Sequence, residues 1–388
     1  MRVIFCWPEI SGYMAASWRV LAAFPDVDLC VIAFRHEGPY AQVPRFTRKT
    51  SWQVTPAPYT DDVMDDVPCH LLKESDQDNY DLIHSVVAKH RPDVIILPGW
   101  WLTAFRRLAF SKAAAKASLV MTMDTPWRGD LRQYIARFVL RRFLRRIDRV
   151  AVIGERAWQY ARHLGFSEAH ILRGAYAYDD DYFDPVGLRR QDWPQRFLFV
   201  GRYVQTKGLD ILASAYPRYR QQVTDPWPLS FYGNGPLAPM LREIEHAQEH
   251  GFIQPAGLPA VYERHGVLIL PSRLESWAVV IAEAAATGMP VICTESCGAS
   301  VEIVRSFTNG LVVPTEDVGA LMHAMVWMHE HTDQFPAMGE SGRHFAEAFS
   351  AHKSAVKWKA MLDELVSTRP SLRKTGQGLA PIAAKQAV

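Results

Sequence analysis

The sequence predicts an α/β protein built from two doubly wound parallel sheets that face each other across a cleft. Three observations support this prediction: the length of 388 residues, the alternation of short apolar runs with helical patterns, and a polar break near the middle of the chain. A chain of this length exceeds one ordinary core, so two domains are the default expectation. Continuous apolar strands separated by helices are typical of parallel sheets that are covered on both faces.

The predicted strands fall into two series. The first series comprises residues 2–6, 28–34, 93–98, 118–123, 149–154 and 170–174. The second series comprises residues 196–201, 229–233, 267–271, 290–294 and 310–314. Ligands of such sheets bind beyond the carboxyl ends of the strands, so the cleft between the two sheets is the expected site.

The break between the two series is the segment 182–195, which is rich in proline, glycine and charge and has no clear periodicity. We therefore expect two Rossmann-like domains, the first at residues 1–185 and the second at residues 186–348. A last helical pattern covers residues 349–366, and the polar tail at residues 367–388 is expected to be disordered.

Composition argues against several classes of protein. The formal net charge of +2 gives no global field that would favour nucleic acid as a partner. The five cysteines form an odd and widely spaced set, which indicates reduced thiols rather than a disulfide framework. The start of the chain lacks the apolar core of a signal peptide, and no window reaches the ~18 apolar residues of a membrane span. These features predict a cytoplasmic protein.

Two glutamates stand in the apolar stretch PSRLESWAVVIAEAAATGMPVI. Glu275 precedes a predicted helix, and Glu283 lies about two turns inside it, roughly 12 Å away at helical rise. The amides between them, including those of Ala278 and Val279, start the helix and suit a phosphate. One interpretation is that Glu275 binds a sugar and Glu283 a ribose on either side of the phosphates. The alternative is that Glu275 caps the helix and Glu283 is exposed to solvent.

Two cations follow the strand at residues 196–201, in the stretch GRYVQTKG. After a turn at Gly201, Arg202 and Lys207 can converge on one diphosphate, with the guanidinium as a fork of donors and the ammonium as a point charge. Exposed cations without a ligand are the alternative. In the next strand-to-helix turn, Gly233 and Asn234 either let the backbone approach a ligand closely or form a plain turn.

Taken in order, the segments GRYVQTKG, GNGP, PSRLESWAVVIAEAAATGMPV, GASVEIV and NGLVVP resemble the nucleotide-sugar domain of retaining GT-B glycosyltransferases, specifically glycosyltransferase family four with its E-x7-E motif. The resemblance is close over residues 196–330. It implies transfer of a sugar, with retention, from a nucleotide diphosphate sugar to a hydroxyl of a glycan or lipid-linked acceptor, in cell-surface polysaccharide or glycolipid synthesis. A GT-B-type nucleotide-sugar epimerase or phosphorylase is the alternative.

The resemblance also implies roles for individual residues. Arg202 and Lys207 match the pair that neutralises the donor diphosphate, Glu275 matches the contact to the transferred sugar, and Glu283 matches the ribose contact. The amides of Ala278 and Val279 match those that touch the phosphates, and Gly201, Gly233, Asn234 and Ile253 fall in the turns and in the loop that surround the nucleotide. One departure is Trp277-Ala278, where the family often has Phe-Gly, because the alanine adds a methyl group near the donor.

The first half resembles the family only in its strand–helix order. Gly12 lies in the loop after the first strand, where the family has a glycine-containing loop near the donor phosphates and the acceptor. Asp124 follows the strand at residues 118–123, near the place of a family histidine, and is expected to accept a hydrogen bond from a substrate hydroxyl. A local turn ahead of Pro126 is the alternative for Asp124. The last helix, at residues 349–366, is expected to cross back to the first domain.

The segment 132–149 predicts a basic helix with an apolar stripe formed by Val139, Leu140, Phe143, Leu144 and Ile147. Such a helix either contacts anionic lipid or packs on its own domain through the stripe. A peripheral position at the inner face of the membrane is therefore the second expectation for location. No metal is expected to be obligatory, since Arg202 and Lys207 supply the charge that a metal would bring, although Asp179, Asp180 and Asp181 form an acidic cluster.

Overall fold

The computed structural model describes residues 1–35, 59, 64, 67–73 and 80–368 of the chain. This part folds into two parallel sheets, each with helices on its faces. Most of the tail that was predicted to be disordered, residues 369–388, lies outside the described residues.

Within the described residues the first sheet has seven strands: β1 Arg2–Cys6, β2 Asp28–Arg35, β3 Cys69–Lys73, β4 Val94–Pro98, β5 Ser118–Met123, β6 Arg149–Val152 and β7 Ile171–Arg173. All neighbours are parallel, in the order β3-β2-β1-β4-β5-β6-β7. The helices before the second sheet are α1 Gly12–Ala22, α2 Tyr80–His90, α3 Thr103–Leu108, α4 Leu131–Val139, α5 Arg141–Leu144, α6 Gly154–Leu164 and α7 Asp180–Arg189.

The second sheet has six strands in the described part: β8 Phe197–Val200, β9 Leu229–Tyr232, β10 Ala247–Glu249, β11 Val267–Leu270, β12 Val291–Thr294 and β13 Gly310–Val313. Their order is β10-β9-β8-β11-β12-β13, again all parallel. The helices that follow are α8 Leu209–Gln222, α9 Ala238–Arg242, α10 Leu258–Glu263, α11 Val279–Ala286, α12 Val318–Glu330, α13 Phe335–Ala346 and α14 Ala351–Ser367.

The central strands of both sheets are buried along their whole length, as their continuous apolar sequences predict. The structure therefore confirms the predicted pair of doubly wound α/β sheets. Because all strands of a sheet run the same way, the loops after β8, β9, β11 and β12 meet at one edge of the second sheet. The loops after β1 and β5 likewise meet at one edge of the first sheet.

Two strands and one helix differ from the sequence prediction. β3 and β10, which were not predicted, lie at the outer edges of their sheets, where a strand has one neighbour and can be short and polar, as in the tripeptide AQE of β10. The segment 182–195, predicted as an irregular break, is partly helical: α7 passes through Pro185 and buries Phe183 in the core of the second sheet.

The last helix returns to the first sheet. α14 packs along α1, and its Trp358 lies edge-on to Phe5 of β1 at a ring-centroid distance of 5.0 Å. Glu364 of the same helix accepts a hydrogen bond of 2.5 Å from Arg149 of β6. The domain limits at residues 185 and 348 stay a prediction. Among the described residues, no helix combines the length and the apolar character needed to cross a bilayer.

Candidate functional site

Lys207 lies where the loop after β8 turns into α8. The next residue, Gly208, has a φ of +65°, and a Cβ there would collide with the carbonyl oxygen of Pro271 at the end of β11. Glycine therefore lets the two strand ends approach closely. The Lys207 ammonium donates to the Glu275 carboxylate, and the two side chains are only 12% and 15% exposed. The structure thus brings together two of the predicted site residues.

Backbone hydrogen bonds hold the loop of Glu275 in place. The amides of Arg273 and Leu274 both donate to the carbonyl oxygen of Thr206, at 2.8 and 3.2 Å, which joins this loop to the loop of Lys207. Glu275 itself forms a parallel β-bridge with Cys297, after β12. A charged pair held between three strand ends is a preorganised site, since its geometry does not depend on flexible side chains alone.

The second glutamate, Glu283, is buried inside α11 at 9% exposure. Its carboxylate accepts a hydrogen bond of 2.9 Å from the hydroxyl of Tyr262 in α10. Burial raises the pKa of Glu283 to about 7, and the charge of Asp179 adds to the rise, while the hydrogen bond from Tyr262 opposes it. The alternative of a solvent-exposed Glu283 is therefore wrong.

α11 begins at a strained residue. Ala278, directly before Val279, has a φ of +83° and a ψ of +80°, a left-handed conformation that glycine adopts far more easily than alanine. This is the position where the resembling family often has glycine, and the chain keeps the backbone conformation while adding a methyl group. The first amides of α11 lie at the same strand edge as Lys207, where an anion is favoured by the helix terminus.

Trp277 connects this helix start to the first half of the chain. Its indole Nε1 donates 2.6 Å to Glu302, and its ring is 1% exposed. A Cβ placed on Gly154, at the start of α6, would lie 2.9 Å from the Trp277 ring and 3.1 Å from a Glu302 oxygen. The two halves therefore touch directly beside the predicted phosphate amides.

The turn after β9 packs on the turn after β8. A Cβ on Gly233 would collide with the carbonyl oxygen of Gly201, so glycine is required for this contact. The carbonyl oxygen of Asn234 accepts a hydrogen bond of 2.7 Å from the amide of Tyr203. The main chains of the two turns thus lie side by side at the edge of the second sheet. The half-buried Arg202 belongs to the first turn, between Gly201 and Tyr203.

Asp124 forms part of the facing wall, at the end of β5. Its carboxylate accepts a hydrogen bond of 3.1 Å from the hydroxyl of Tyr176, whose ring lies 5.0 Å from that of Tyr13. Burial raises the pKa of Asp124, and repulsion from Glu275 adds to the rise although the Tyr176 hydrogen bond opposes it. The charge of Glu275 in the second half thus acts on Asp124 in the first half, and Asp124 has a hydrogen-bond partner far along the chain besides any local turn.

Gly12 starts α1, where a Cβ would lie 2.7 Å from Cγ of Pro255 in the second half. The glycine thus allows the two halves to approach each other beside Ile253 of the predicted base-binding loop. A loop at this point facing the cleft was the expectation, and the structure places Gly12 at the contact between the halves.

Tyr59 is a candidate site residue that the sequence analysis did not single out. Its ring lies 5.6 Å from that of Phe252, in an edge-on arrangement, so a residue of the first half reaches the predicted base-binding loop. Burial raises the pKa of Tyr59, the charges of Glu283 and Glu9 add to the rise, and Arg202 lowers it. The phenol therefore lies within the fields of both the predicted ribose acid and the predicted phosphate cation. No motif surrounds Tyr59, so only the fold reveals it.

Two residues of the acidic cluster at residues 179–181 form ion pairs within the protein. Asp179 pairs with Arg19 of α1 at 2.5 Å, and Asp180 pairs with His352 of α14 at 2.9 Å. Among the described residues, no group of three or more ligating side chains could hold a metal ion. All five cysteines are free thiols.

Comparison with known proteins identifies the family. A family model described as glycosyl transferases group 1 matches residues 194–331, which include β8 to α12. The GDP-mannose-dependent alpha-(1-6)-phosphatidylinositol monomannoside mannosyltransferase of Mycolicibacterium smegmatis is 30% identical over 268 residues, which are 62% of this chain and 67% of that enzyme. The chain belongs to the group 1 glycosyltransferases.

The same enzyme of Mycobacterium tuberculosis is 31% identical over 192 residues, 44% of this glycosyltransferase and 49% of the relative. The chain thus spans about half the length of the first curated relatives that it matches. The crystal structure of Anabaena Alr3699/HepE in complex with UDP matches 94% of this glycosyltransferase and 100% of that chain, with a TM-score of 0.69 and 16% identity. This likeness confirms the expected GT-B arrangement of the two sheets.

Proposed function

We propose that this chain is a retaining glycosyltransferase of family four, with Glu275 and Glu283 as the E-x7-E pair. It moves a sugar from a nucleotide diphosphate sugar to a hydroxyl of a glycan or lipid-linked acceptor in cell-surface polysaccharide or glycolipid synthesis. The observation that carries the proposal is the Lys207–Glu275 pair, which two loops of the second sheet hold at the cleft edge with both side chains nearly buried. The similar mycobacterial enzymes are named for GDP-mannose and phosphatidylinositol monomannoside, and the HepE crystal contains UDP.

In the protein without substrate, Lys207 is neutralised by Glu275. A donor diphosphate would compete for the Lys207 ammonium, as the two phosphate groups offer more negative charge than one carboxylate. Glu275 would then be free to accept a hydrogen bond from a hydroxyl of the transferred sugar. The nearly dry surroundings strengthen both interactions.

The reaction breaks the bond between the anomeric carbon and the diphosphate oxygen. Lys207, Arg202 and the first amides of α11, those of Val279 and its neighbours, stabilise the negative charge that develops on the departing nucleoside diphosphate. The acceptor oxygen attacks the same face from which the diphosphate leaves, and its proton passes to the released phosphate, so that configuration is retained. The chain's own cations supply the charge stabilisation, and no cofactor is part of the proposal.

Each wall of the cleft has a separate task in this scheme. Glu283 and the loop around Ile253 hold the ribose and the base, with Gly201, Gly233 and Asn234 below the phosphates. Asp124 accepts a hydrogen bond from the acceptor hydroxyl or from the sugar, next to Glu275. Contact between the halves at Gly12 limits the access of water, which would otherwise compete with the acceptor. We place the protein in the cytoplasm, with peripheral contact at the inner face of the membrane.

The direct test is Lys207→Ala with Lys89→Ala, an exposed lysine of α2, as the matched control. Loss of the Lys207 charge should reduce turnover about a hundredfold, because charge stabilisation of a leaving group is of this magnitude. It should also abolish the rise in melting temperature that a nucleoside diphosphate gives to the parent protein. Turnover that is equal in both variants would overturn the assignment of Lys207.

Nuclear magnetic resonance of the product tests retention, since the anomeric configuration must equal that of the donor. Incubation of the nucleotide sugar without an acceptor separates the remaining alternatives. A new nucleotide sugar would indicate an epimerase, and a sugar phosphate formed with inorganic phosphate would indicate a phosphorylase. Transfer that occurs only with an added hydroxyl acceptor supports the proposal.

A further inference from the structure

Helix α4 presents its apolar side to solvent. Five of its residues are between 45% and 74% exposed: Leu131, Tyr134, Ile135, Phe138 and Val139. Their spacing of i, i+3, i+4, i+7 and i+8 places them on one face of the helix. We call this surface the α4 face. A contiguous apolar surface of this kind marks a site of interaction on a protein.

The side of α4 that faces the protein is polar at its centre. The side chain of Gln133 is buried. It accepts a hydrogen bond of 2.7 Å from the amide of Arg128 and donates one of 2.8 Å to the carbonyl oxygen of Pro126. Asp130 caps the helix by accepting 2.9 Å from the Gln133 amide. These bonds fix the rotation of the helix, so the apolar face cannot turn inward without breaking them.

The α4 face shares only Val139 with the stripe that the sequence predicted, and Val139 is 74% exposed instead of packed with the rest of that stripe. Leu140, Phe143, Leu144 and Ile147 of that stripe are buried in the core of the first half, so the expectation of packing is right for them. The predicted single helix ends at Val139 and restarts at Arg141. The break separates the four buried residues of the stripe from the α4 face, which adds Leu131, Tyr134, Ile135 and Phe138 to Val139.

The surroundings of the α4 face are strongly basic. Residues 99–147 contain eleven lysines and arginines but only two acidic residues, in a chain whose net charge is +2. Five arginines lie on or beside α4 and α5: Arg132, Arg137, Arg141, Arg142 and Arg145. Within the described part of the chain none of these five forms an ion pair. Arg142 instead lies over the ring of Phe110, at 5.1 Å.

The arginines around the α4 face indicate which kind of partner binds there. A second copy of this chain would bring its own arginines against the same surface, and the like charges would repel each other. In an anionic bilayer, the exposed apolar side chains can insert between the acyl chains, and the arginines beside them can bind the headgroup phosphates. Arginine side chains at the edge of an apolar helix face can reach the headgroups while their stems stay in contact with acyl chains.

We propose that the α4 face docks on an anionic lipid surface, with Ile135 and Phe138 inserted and the arginines on the headgroup phosphates. α4 starts at Leu131, seven residues after Asp124 at the cleft, so docking brings the acceptor wall next to the bilayer. The inference concerns binding and holds whatever reaction the cleft performs. It names the surface for the peripheral membrane contact proposed above, and its failure would remove that contact while leaving the proposed sugar transfer intact.

The experiment is sedimentation of the full chain with two kinds of vesicle, phosphatidylcholine alone and equal parts of phosphatidylcholine and phosphatidylglycerol. The parent protein should bind the anionic vesicles at least about tenfold more tightly than the neutral ones, because several arginines each contribute. The double variant Ile135→Gln and Phe138→Gln should lose about tenfold of this binding. Both side chains are exposed, so the fold should tolerate the change, which circular dichroism and the melting temperature verify.

Matched controls test whether the effect on vesicle binding is specific to the α4 face or follows from the loss of any exposed leucine or arginine. Leu188→Gln removes another exposed leucine on α7, and Arg218→Gln removes an exposed arginine on α8. Both controls should bind like the parent protein, whereas Arg141→Gln with Arg142→Gln should weaken binding and reduce its dependence on salt. Equal binding to both vesicle types, or full binding by the folded double variant, would overturn the proposal. A concentration-dependent dimer that the double variant abolishes would instead assign the face to a second copy.

Discussion

The two walls of the cleft are built in different ways. The wall of the second half consists of loops that lie next to each other and are joined by backbone hydrogen bonds, with Lys207 and Glu275 paired at their centre. The wall of the first half is assembled from segments that are far apart in the chain, which contribute Tyr13, Asp124 and Tyr176. One wall is therefore a rigid charge site and the other a cluster of hydroxyl and carboxyl groups.

The difference suggests a division of labour. A paired cation and carboxylate at strand ends suit an anionic substrate whose shape is constant, such as a nucleoside diphosphate. Tyrosine and aspartate side chains that hydrogen-bond each other suit neutral hydroxyl groups, and their arrangement can change without altering the sheet. Substitutions on the two walls should therefore affect different kinetic constants. The expected effects decrease from Glu275 to Ala278.

Glu275→Gln should have the largest effect. It removes the carboxylate that is proposed to hold the sugar, so turnover should fall about a hundredfold. The same change removes the internal partner of Lys207, so a nucleoside diphosphate should bind as well as before or more tightly. Calorimetry and steady-state rates check both results, with exposed Glu330→Gln as the control. Loss of nucleotide binding together with turnover would show that the pair does not compete with the donor.

Glu283→Gln should alter the dependence of stability on pH. The folded pKa of about 7 lies above the ordinary value of 4.5, so the folded state holds a proton that the unfolded state releases. The parent protein should therefore lose stability as the pH rises from about 4.5 through about 7, by on the order of 2 to 3 kcal/mol. The glutamine variant keeps a hydrogen-bond acceptor for Tyr262 and should lose this dependence.

Denaturant unfolding at pH 5 and pH 8 measures the Glu283 effect, with exposed Glu340→Gln as the control. The variant should also bind the nucleoside diphosphate about tenfold less tightly, because an amide replaces the ribose contact. An unchanged pH dependence would contradict the buried state of Glu283. Unchanged nucleotide binding would contradict its role on the donor wall.

Asp124→Asn tests the opposite wall. The KM for the acceptor should rise about tenfold while the affinity for a nucleoside diphosphate stays within about twofold, because Asp124 faces the acceptor side. Tyr176→Phe should act in the same direction and more weakly, since it removes only the 3.1 Å hydrogen bond to Asp124. Tyr80→Phe, at the start of α2 where the Arg107 guanidinium lies over the ring, serves as the control. A change confined to nucleotide affinity would place Asp124 on the donor wall instead.

Ala278→Gly should have the smallest effect and a favourable one. Glycine relieves the left-handed strain at φ +83°, which is worth about 1 kcal/mol of stability. Ala360→Gly, an exposed position within α14, should instead destabilise by about 0.5 to 1 kcal/mol. Thermal unfolding of both variants measures the difference. Equal destabilisation would show that position 278 does not need the glycine conformation.

The donor wall was largely predictable because its residues directly follow strands of one predicted sheet. Lys207 and Glu275 follow strands with clear apolar runs, and parallel strands must end at the same edge, so their proximity follows from the fold class. The burial of Glu283 was an open question, because spacing alone does not reveal which side of a buried helix faces a cleft. The ion pair between Lys207 and Glu275 was also not predicted, because the sequence does not show which side chains at a sheet edge meet.

The acceptor wall was only partly predictable. Asp124 follows a predicted strand and was found for that reason, whereas Tyr59 and Tyr176 belong to no motif and reach the cleft only through tertiary packing. The edge strands β3 and β10 were missed because a strand with one neighbour needs little apolar sequence. The exposed apolar set on α4 was missed because the pattern of a helix gives its faces but not its rotation on the protein.

The contact between Trp277 and Gly154 has a thermodynamic consequence. The same indole that starts the phosphate-facing helix also touches the first half, so separation of the halves must disturb the place where the donor is expected to bind. Separation of the halves and binding of the donor are then thermodynamically coupled. Each changes the free energy of the other by the same amount. A single added methyl group at position 154, which would collide with the Trp277 ring, would accordingly weaken the binding of the nucleotide.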